Sequence, residues 1–216
     1  MASVNHLRVS YSGSASSPGQ FPRDGLPEVA FLGRSNVGKS SLLNALAGVN
    51  GLARVSGDPG RTRLVNFFRV SGAERPGGAG RADLYLVDLP GYGYAKAPRE
   101  VRDRFESLAT SYLAGRPPLR LCVLIVDARH EPSEGDEALT AWLDHHRLAY
   151  VVAANKTDKL GRGEVARRAQ SLVRGLARTA RAVVPVSAER RTGIEDLWNV
   201  VRGAAFATLA AREQGQ

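Results

Sequence analysis

The run Gly33-Arg34-Ser35-Asn36-Val37-Gly38-Lys39-Ser40 constrains this chain more than any other feature. Its G-x-x-x-x-G-K-S spacing follows an apolar, strand-like stretch, Val29-Ala30-Phe31-Leu32, and leads into a helix-like one, Ser41 to Ala47. Strand, glycine-rich loop and helix in that order form a phosphate-binding loop. Glycines let backbone N–H groups of residues 33–41 turn inward around phosphate oxygens, where a helix start also favours negative charge. Lys39 is then placed to reach β- and γ-phosphates, and the Ser40 hydroxyl to bind Mg²⁺.

A second motif points to the base. Asn155-Lys156-Thr157-Asp158, an N-K-x-D element, directly follows the apolar run Tyr150 to Ala154. A carboxylate at Asp158 can accept from both the N1–H and the exocyclic amine of guanine, a donor pair that adenine lacks, and sites built on specific hydrogen bonds reject mismatched partners strongly. Asn155 is expected to tie this loop to the phosphate loop, and the Lys156 stem to cover one face of the base. Ser187-Ala188, after Ala182 to Val186, is expected to supply a backbone contact to the guanine oxygen. The predicted ligand is therefore GTP or GDP, not ATP.

Two further elements would make the site a switch. Asp88-Leu89-Pro90-Gly91 ends the run Leu84 to Val87. Asp88 is placed to hold Mg²⁺ through its water shell and the Gly91 N–H to meet the γ-phosphate. Between Ser41 and Asp88 the one threonine is Thr62, within Pro59-Gly60-Arg61-Thr62-Arg63. It is the favoured hydroxyl to complete the Mg²⁺ site when γ-phosphate is present, with Ser56 a weaker alternative. Loops that close on γ-phosphate and relax after hydrolysis are a known route to switching.

Alternating apolar runs and helical patterns predict an α/β fold, a doubly wound, mostly parallel six-stranded sheet with helices on both faces. Strands are expected at 28–33, 64–70, 82–88, 120–127, 149–154 and 182–187, with helices at 39–47, 99–114, 134–146, 163–179 and 193–211. Strands 64–70 and 82–88 lack an intervening helix and should form an antiparallel hairpin around a flexible loop, Ser71 to Gly80. Residues 1–27 read as an N-terminal extension in which Leu7 to Tyr11 can add an edge strand. Residues 28–211 form the G domain and 212–216 a polar tail. The motifs would then lie at the carboxyl ends of strands, where open α/β sheets bind ligands.

Composition bounds the setting. No apolar run approaches the ~20 residues that span a bilayer, and the first residues lack a basic segment followed by an apolar one, against a secretory signal. The single cysteine, Cys122, lies inside Leu121 to Val126 and reads as a buried strand residue with no disulfide or metal role, which fits a cytoplasmic protein. His6, His130, His145 and His146 form no metal-ligand pattern. A net charge of +9 favours nucleic-acid phosphates as a partner, with affinity that falls as salt rises. A GC-rich coding sequence would also enrich arginine over lysine, but the positive sum stands whichever base is used. No zinc-finger, RNP-type or helix-turn-helix signature is present, so such contact would be to backbone and shape.

The stretches LPEVAFLGRSNVGKSSLLNAL (26–46), PGRTRLVNFF (59–68), LVDLPGYGYAKAP (86–98), VDARHEP (126–132), NKTDKL (155–160) and SAERRTGIEDLW (187–198) carry a resemblance. The chain resembles the EngB (YsxC/YihA) family of bacterial ribosome-biogenesis GTPases, within the TrmE-Era-EngA-EngB-Septin-like class. That resemblance implies a Ras-like fold, slow GTP hydrolysis and a nucleotide-switched role in assembling the large ribosomal subunit, as a monomer, with a link to cell division and septation. Arg63 departs from the glutamine common in the family, and this bears on local switch contacts.

Many GTPases orient the attacking water with a glutamine directly after the D-x-x-G glycine; this chain has Tyr92. Hydrolysis is therefore expected to be slow unaided, resting on Lys39, Thr62, Gly91, Mg²⁺ and a partner. In related potassium-using GTPases an asparagine at the loop position of Asn36 coordinates K⁺, so Asn36 is a candidate K⁺ ligand. Arg61 and Arg129 are charged neighbours better read as solvated or partner-facing. A signalling GTPase with a protein or membrane-surface partner is the alternative reading, but no lipidation motif or amphipathic anchor favours it. A P-loop kinase or ATPase is disfavoured by N-K-x-D.

Overall fold

A computed structural model describes residues 7–53, 64–91, 99–176 and 179–207, with backbone alone at 99–106 and 162. Strand β2 (Glu28–Gly33) is buried at every position, as a strand flanked on both sides must be. It pairs in parallel with β4 (Arg81–Asp88) on one side and β5 (Leu119–Asp127) on the other. Strands β6 (Tyr150–Asn155) and β7 (Val183–Pro185) continue the sheet in parallel beyond β5. Beyond β4 lie β3 (Val65–Glu74) and, at the edge, β1 (Arg8–Ala15), so the order is β1-β3-β4-β2-β5-β6-β7. The sheet thus has seven strands. The seventh comes from the N-terminal segment, and β3 runs antiparallel to both β1 and β4.

Alternation along each strand assigns the faces. Val29 and Phe31 pack with α1 (Lys39–Ala47) and α5 (Ile194–Ala205), while Ala30 and Leu32 pack with α2 (Arg99–Gly115), α3 (Glu134–His145) and α4 (Arg162–Leu176). Trp198 of α5 is fully buried and donates its indole N–H to the Leu46 carbonyl at 2.8 Å, which locks α5 onto the end of α1. Cys122 is buried in β5, and burial raises its thiol to about 12, so it stays protonated as a core residue. Among the described residues, no helix is long and apolar enough to cross a membrane.

Several elements depart from their sequence expectation, among them the edge strand β1, which runs on to Ala15, and β7, which spans only Val183–Pro185. The hairpin loop is shorter than Ser71 to Gly80: β3 continues to Glu74 and β4 begins at Arg81. A bulge between Val70 and Ala73 puts Gly72 at φ 73°, and its N–H donates to Asp83 at 3.0 Å, which carries pairing past the irregularity. Helix α5 ends at Ala205, not 211, as Phe206 leaves helical geometry while still donating to Arg202. Helix α4 begins at Arg162 and ends at Leu176; the expected extension to 179 runs through 177–178, outside the described residues.

The N-terminal segment is fastened by a charge buried beneath it. Glu28, with no exposed surface, forms an ion pair with Arg116 and accepts from Tyr112 Oη at 2.6 Å. Arg116 also donates to the Pro22 carbonyl at 2.5 Å and lies over the Phe21 ring. Burial, reinforced by Glu28, pushes the Tyr112 phenol well above its ordinary value. Breaking a buried pair strands the remaining charge. Glu28→Ala should therefore lower unfolding stability in urea by about 3–5 kcal/mol, whereas Arg69→Ala, which removes the exposed pair to Asp83, should change it little.

Candidate nucleotide site

Carboxyl ends of β2, β4 and β6 and the turn after β7 converge on one edge of the sheet. The loop from Gly33 to Gly38 joins β2 to α1, and two of its glycines are sterically required. A Cβ on Gly33 would lie 2.9 Å from the Ile125 carbonyl oxygen; one on Gly38 would lie 2.5 Å from Asn155 Nδ2. Gly38 also sits at φ 93°, left-handed, as the N-cap of α1. Its carbonyl accepts the Leu42 N–H at 2.9 Å, so the helix starts on the loop. Asn36 adopts φ 67° with its side chain exposed. Ser35 Oγ is buried with no hydrogen-bond partner among the described residues. A buried hydroxyl without a partner is costly, and its surroundings are the loop through which a phosphate would be approached.

Lys39, first residue of α1, forms an ion pair with Asp88, the last residue of β4. Asp88 is 3 % exposed, so this pair is largely shielded from solvent. Leu89 is buried, its N–H donating to the Phe31 carbonyl at 3.3 Å, and Gly91 is buried at the end of the described stretch. Ser40 and Ser41 follow Lys39 on the first turn of α1. Hydroxyl and carboxylate oxygens such as those of Ser40 and Asp88 are the donors Mg²⁺ prefers, and that ion usually keeps waters and uses one or two protein oxygens beside phosphate. The donor set fits the ion. Pro59, Gly60, Arg61, Thr62, Arg63, Ser56 and Tyr92 lie outside the described residues.

Across from the Gly33–Gly38 loop, Asn155 closes β6. Its Nδ2 donates to the Val37 carbonyl at 2.9 Å, and its Oδ1 accepts the Ala188 N–H at 3.2 Å. Lys156, at φ 67°, donates from Nζ to the Asn36 carbonyl at 2.7 Å and pairs with Asp127 at 2.8 Å. Thr157 is pinned by its N–H and hydroxyl to the Val186 carbonyl, at 3.2 and 2.9 Å. Asp158 accepts from Ser187 Oγ at 2.6 Å and pairs with Lys159 at 3.1 Å. The Ser187 bond, aided by Lys159, lowers the Asp158 pKa. Its share of stability is therefore present above the ordinary carboxylate range and lost as pH falls through its depressed value. Each carboxylate oxygen carries a further lone pair, so these bonds leave Asp158 able to accept two more.

Asp127 had no assigned role in the sequence, although it lies within VDARHEP. Burial raises its pKa, but hydrogen bonds from Arg129 and Lys156 outweigh that and hold it well below the usual carboxylate range. Arg129 is occupied by Asp127 through two hydrogen bonds, at 2.9 and 2.7 Å. Asn66 is the other missed residue: its Nδ2 lies 3.5 Å from Asp88 Oδ2. A lone amide within the apolar run Val65 to Phe68 was the available signal.

The chain is similar to known proteins over most of its length. The family model described as "50S ribosome-binding GTPase" matches residues 28–156. The probable GTP-binding protein EngB of Anaeromyxobacter sp. strain K is 48 % identical over 210 residues, 97 % of this chain and 94 % of the relative. Among solved structures, a probable GTP-binding protein engB superposes with a TM-score of 0.62 at 22 % identity, over 82 % of this chain and 98 % of the other. A single-residue variant of Aquifex aeolicus Era, bound to GDP·AlF4⁻, gives 0.68 at 23 % identity, over 83 % of this chain and 56 % of Era. At such identities the structural likeness speaks for the fold alone.

Proposed function

This chain belongs to the EngB family of P-loop GTPases, and on that footing we propose that it is a guanine-nucleotide switch that docks on the large ribosomal subunit or its precursor and leaves after hydrolysing GTP. The observation that carries the nucleotide part is the tie between the two loops, Asn155 Nδ2 to the Val37 carbonyl, which brings a base-reading carboxylate and a phosphate loop onto one edge. Residues 33–41 cradle the phosphates through backbone N–H groups. The Ser35 hydroxyl, without a partner among the described residues, gains an acceptor there. Lys39 exchanges Asp88 for the β- and γ-phosphates. Ser40, Thr62 and, through water, Asp88 hold Mg²⁺. Bound there, Mg²⁺ neutralises charge developing on the phosphates.

Asp158 reads the guanine N1–H and amine, the Lys156 stem covers the base, and the Ala188 N–H meets the guanine oxygen. Gly91 and residues 59–62 sense the γ-phosphate. Water attacks the γ-phosphorus, the bond to the bridging oxygen breaks, and GDP and phosphate result. With Tyr92 after Gly91, turnover is slow until a partner or K⁺ at Asn36 adds positive charge.

The ribosomal part draws its support from the family description and from the basic balance of the chain. Exposed Arg167 and Arg174 on α4, with Arg181, Arg190 and Arg191, add positive surface suited to rRNA phosphates. A cytoplasmic, monomeric factor is the corresponding setting.

Co-sedimentation with purified subunits, with a non-hydrolysable GTP analogue, GDP or no nucleotide across a salt series, tests this reading. The expected result is retention on the large subunit mainly with the GTP analogue and persisting at moderate salt. Retention that ignores nucleotide and vanishes as salt rises would reduce it to a basic chain sticking to RNA. A K⁺ ligand at Asn36 predicts faster GTP turnover in potassium than in sodium buffer of matched ionic strength, lost in Asn36→Ala. Equal rates in the two buffers would remove K⁺ from the account.

A further inference from the structure

Asp88 is held from two sides by unlike partners. Lys39 takes Oδ1 as an ion pair, and Asn66 Nδ2 faces Oδ2 at 3.5 Å. Asn66 stands directly opposite Asp88 in the β3–β4 register, and Ser14 directly opposite Asn66 in the β1–β3 register. Three strands therefore place Ser14, Asn66 and Asp88 in one row across the sheet. Ser14 Oγ donates to Asn66 Oδ1 at 2.5 Å. A serine hydroxyl carries one proton, so Tyr11 Oη, 2.6 Å from Ser14 Oγ, must be the donor in their contact. That sets the polarity of the row. With its oxygen taken by Ser14, the Asn66 amide turns its NH₂ to Asp88.

Tyr11 reaches this row through an irregularity in β1. Pairing passes from Tyr11 opposite Phe68 to Gly13 opposite Phe67, skipping Ser12. Residues three apart normally face opposite sides of a strand; one bulged residue makes Tyr11 and Ser14 act as if two apart, on the same face. Tyr11 also packs against Phe68, with ring centroids 6.0 Å apart. Tyr11 is 57 % exposed, so the row starts at the surface of the edge strand.

We propose that Asn66 is a positioning residue for the metal-side carboxylate, held in its orientation by Ser14 and Tyr11 of the N-terminal strand. The inference rests on the Mg²⁺–nucleotide reading of the site. When Lys39 turns to phosphate, Asp88 loses its Oδ1 partner. Among the described residues, Asn66 then remains as the side chain that fixes the plane of the carboxylate. A carboxylate that orients a metal's water shell needs such a partner, and loss of one typically costs 10–100-fold in metal affinity. The N-terminal strand thereby becomes part of the metal side of the site.

Affinity for a fluorescent GDP analogue, measured against Mg²⁺ concentration and in EDTA, tests this. The proteins are wild type, Asn66→Ala, Ser14→Ala and Ser14→Thr, each with a thermal unfolding curve. Asn66→Ala should raise the Mg²⁺ concentration for half-maximal effect by roughly 10–100-fold and leave affinity in EDTA unchanged. Ser14→Ala should raise it less, and Ser14→Thr, which keeps the hydroxyl, should restore the wild-type curve. An Asn66→Ala curve that matches wild type, or an equal loss of affinity with Mg²⁺ and with EDTA, would overturn the proposal. Should Asn66→Ala not fold, the serine pair decides: identical curves for Ser14→Ala and Ser14→Thr overturn it. A wild-type protein indifferent to Mg²⁺ would instead overturn the Mg²⁺ reading itself.

Discussion

One buried amide holds the cleft together. Asn155, 2 % exposed at the end of β6, spends its NH₂ on the Val37 carbonyl and its oxygen on the Ala188 N–H. A single side chain thereby pins three segments that are far apart in sequence: the Gly33–Gly38 loop, the residues after β6 and the turn after β7. Both ends of the amide are used inside the protein, where an unmet polar group is expensive. The close approach this needs explains Gly38, because any Cβ there would collide with the Asn155 amide. Lys156 adds a second tie through the Asn36 carbonyl and is itself held by Asp127.

The sheet supplies the geometry for that amide. Parallel strands β2, β5 and β6 end on the same edge, and register sets Asp127 opposite Asn155. On the far side of β2, the antiparallel pairing of β3 with β4 brings Asn66 to Asp88. The proposed base side is thus built on parallel strands, and the proposed metal side leans on the antiparallel edge. Lys39, on the helix between them, is paired with the metal side. In the proposed switch, that lysine changes partners when phosphate arrives.

Much of this was legible because it is local. Gly33 and Gly38, the apolar runs that became β2, β5 and β6, and the residues that begin α1 obey rules that act within a few residues. The hairpin was legible from its missing helix, but not its length, because Gly72 and Asp83 repair the pairing across a bulge. Sequence pattern marks the edge strand only over Leu7 to Tyr11, since glycine and serine at 12–14 hide a strand that continues past its bulge to Ala15. The Asp88 contact of Asn66 and the Lys156 contact of Asp127 come from register between strands, which periodicity does not encode. Glu28 lies inside the stretch 26–46, yet its burial against Arg116 depends on the residue that follows α2, far along the chain.

Whether these loops make a guanine site is tested most directly at Asp158. Affinities of wild type and Asp158→Asn for GDP and XDP should be measured by calorimetry with Mg²⁺ present. Two hydrogen bonds to a charged acceptor predict that Asp158→Asn loses GDP affinity by roughly 10–100-fold and gains affinity for XDP, whose exocyclic oxygen can accept from the new amide. Unchanged preference for GDP would contradict the assignment of the base site, and with it the claim that Asn155 joins a guanine pocket to a phosphate loop.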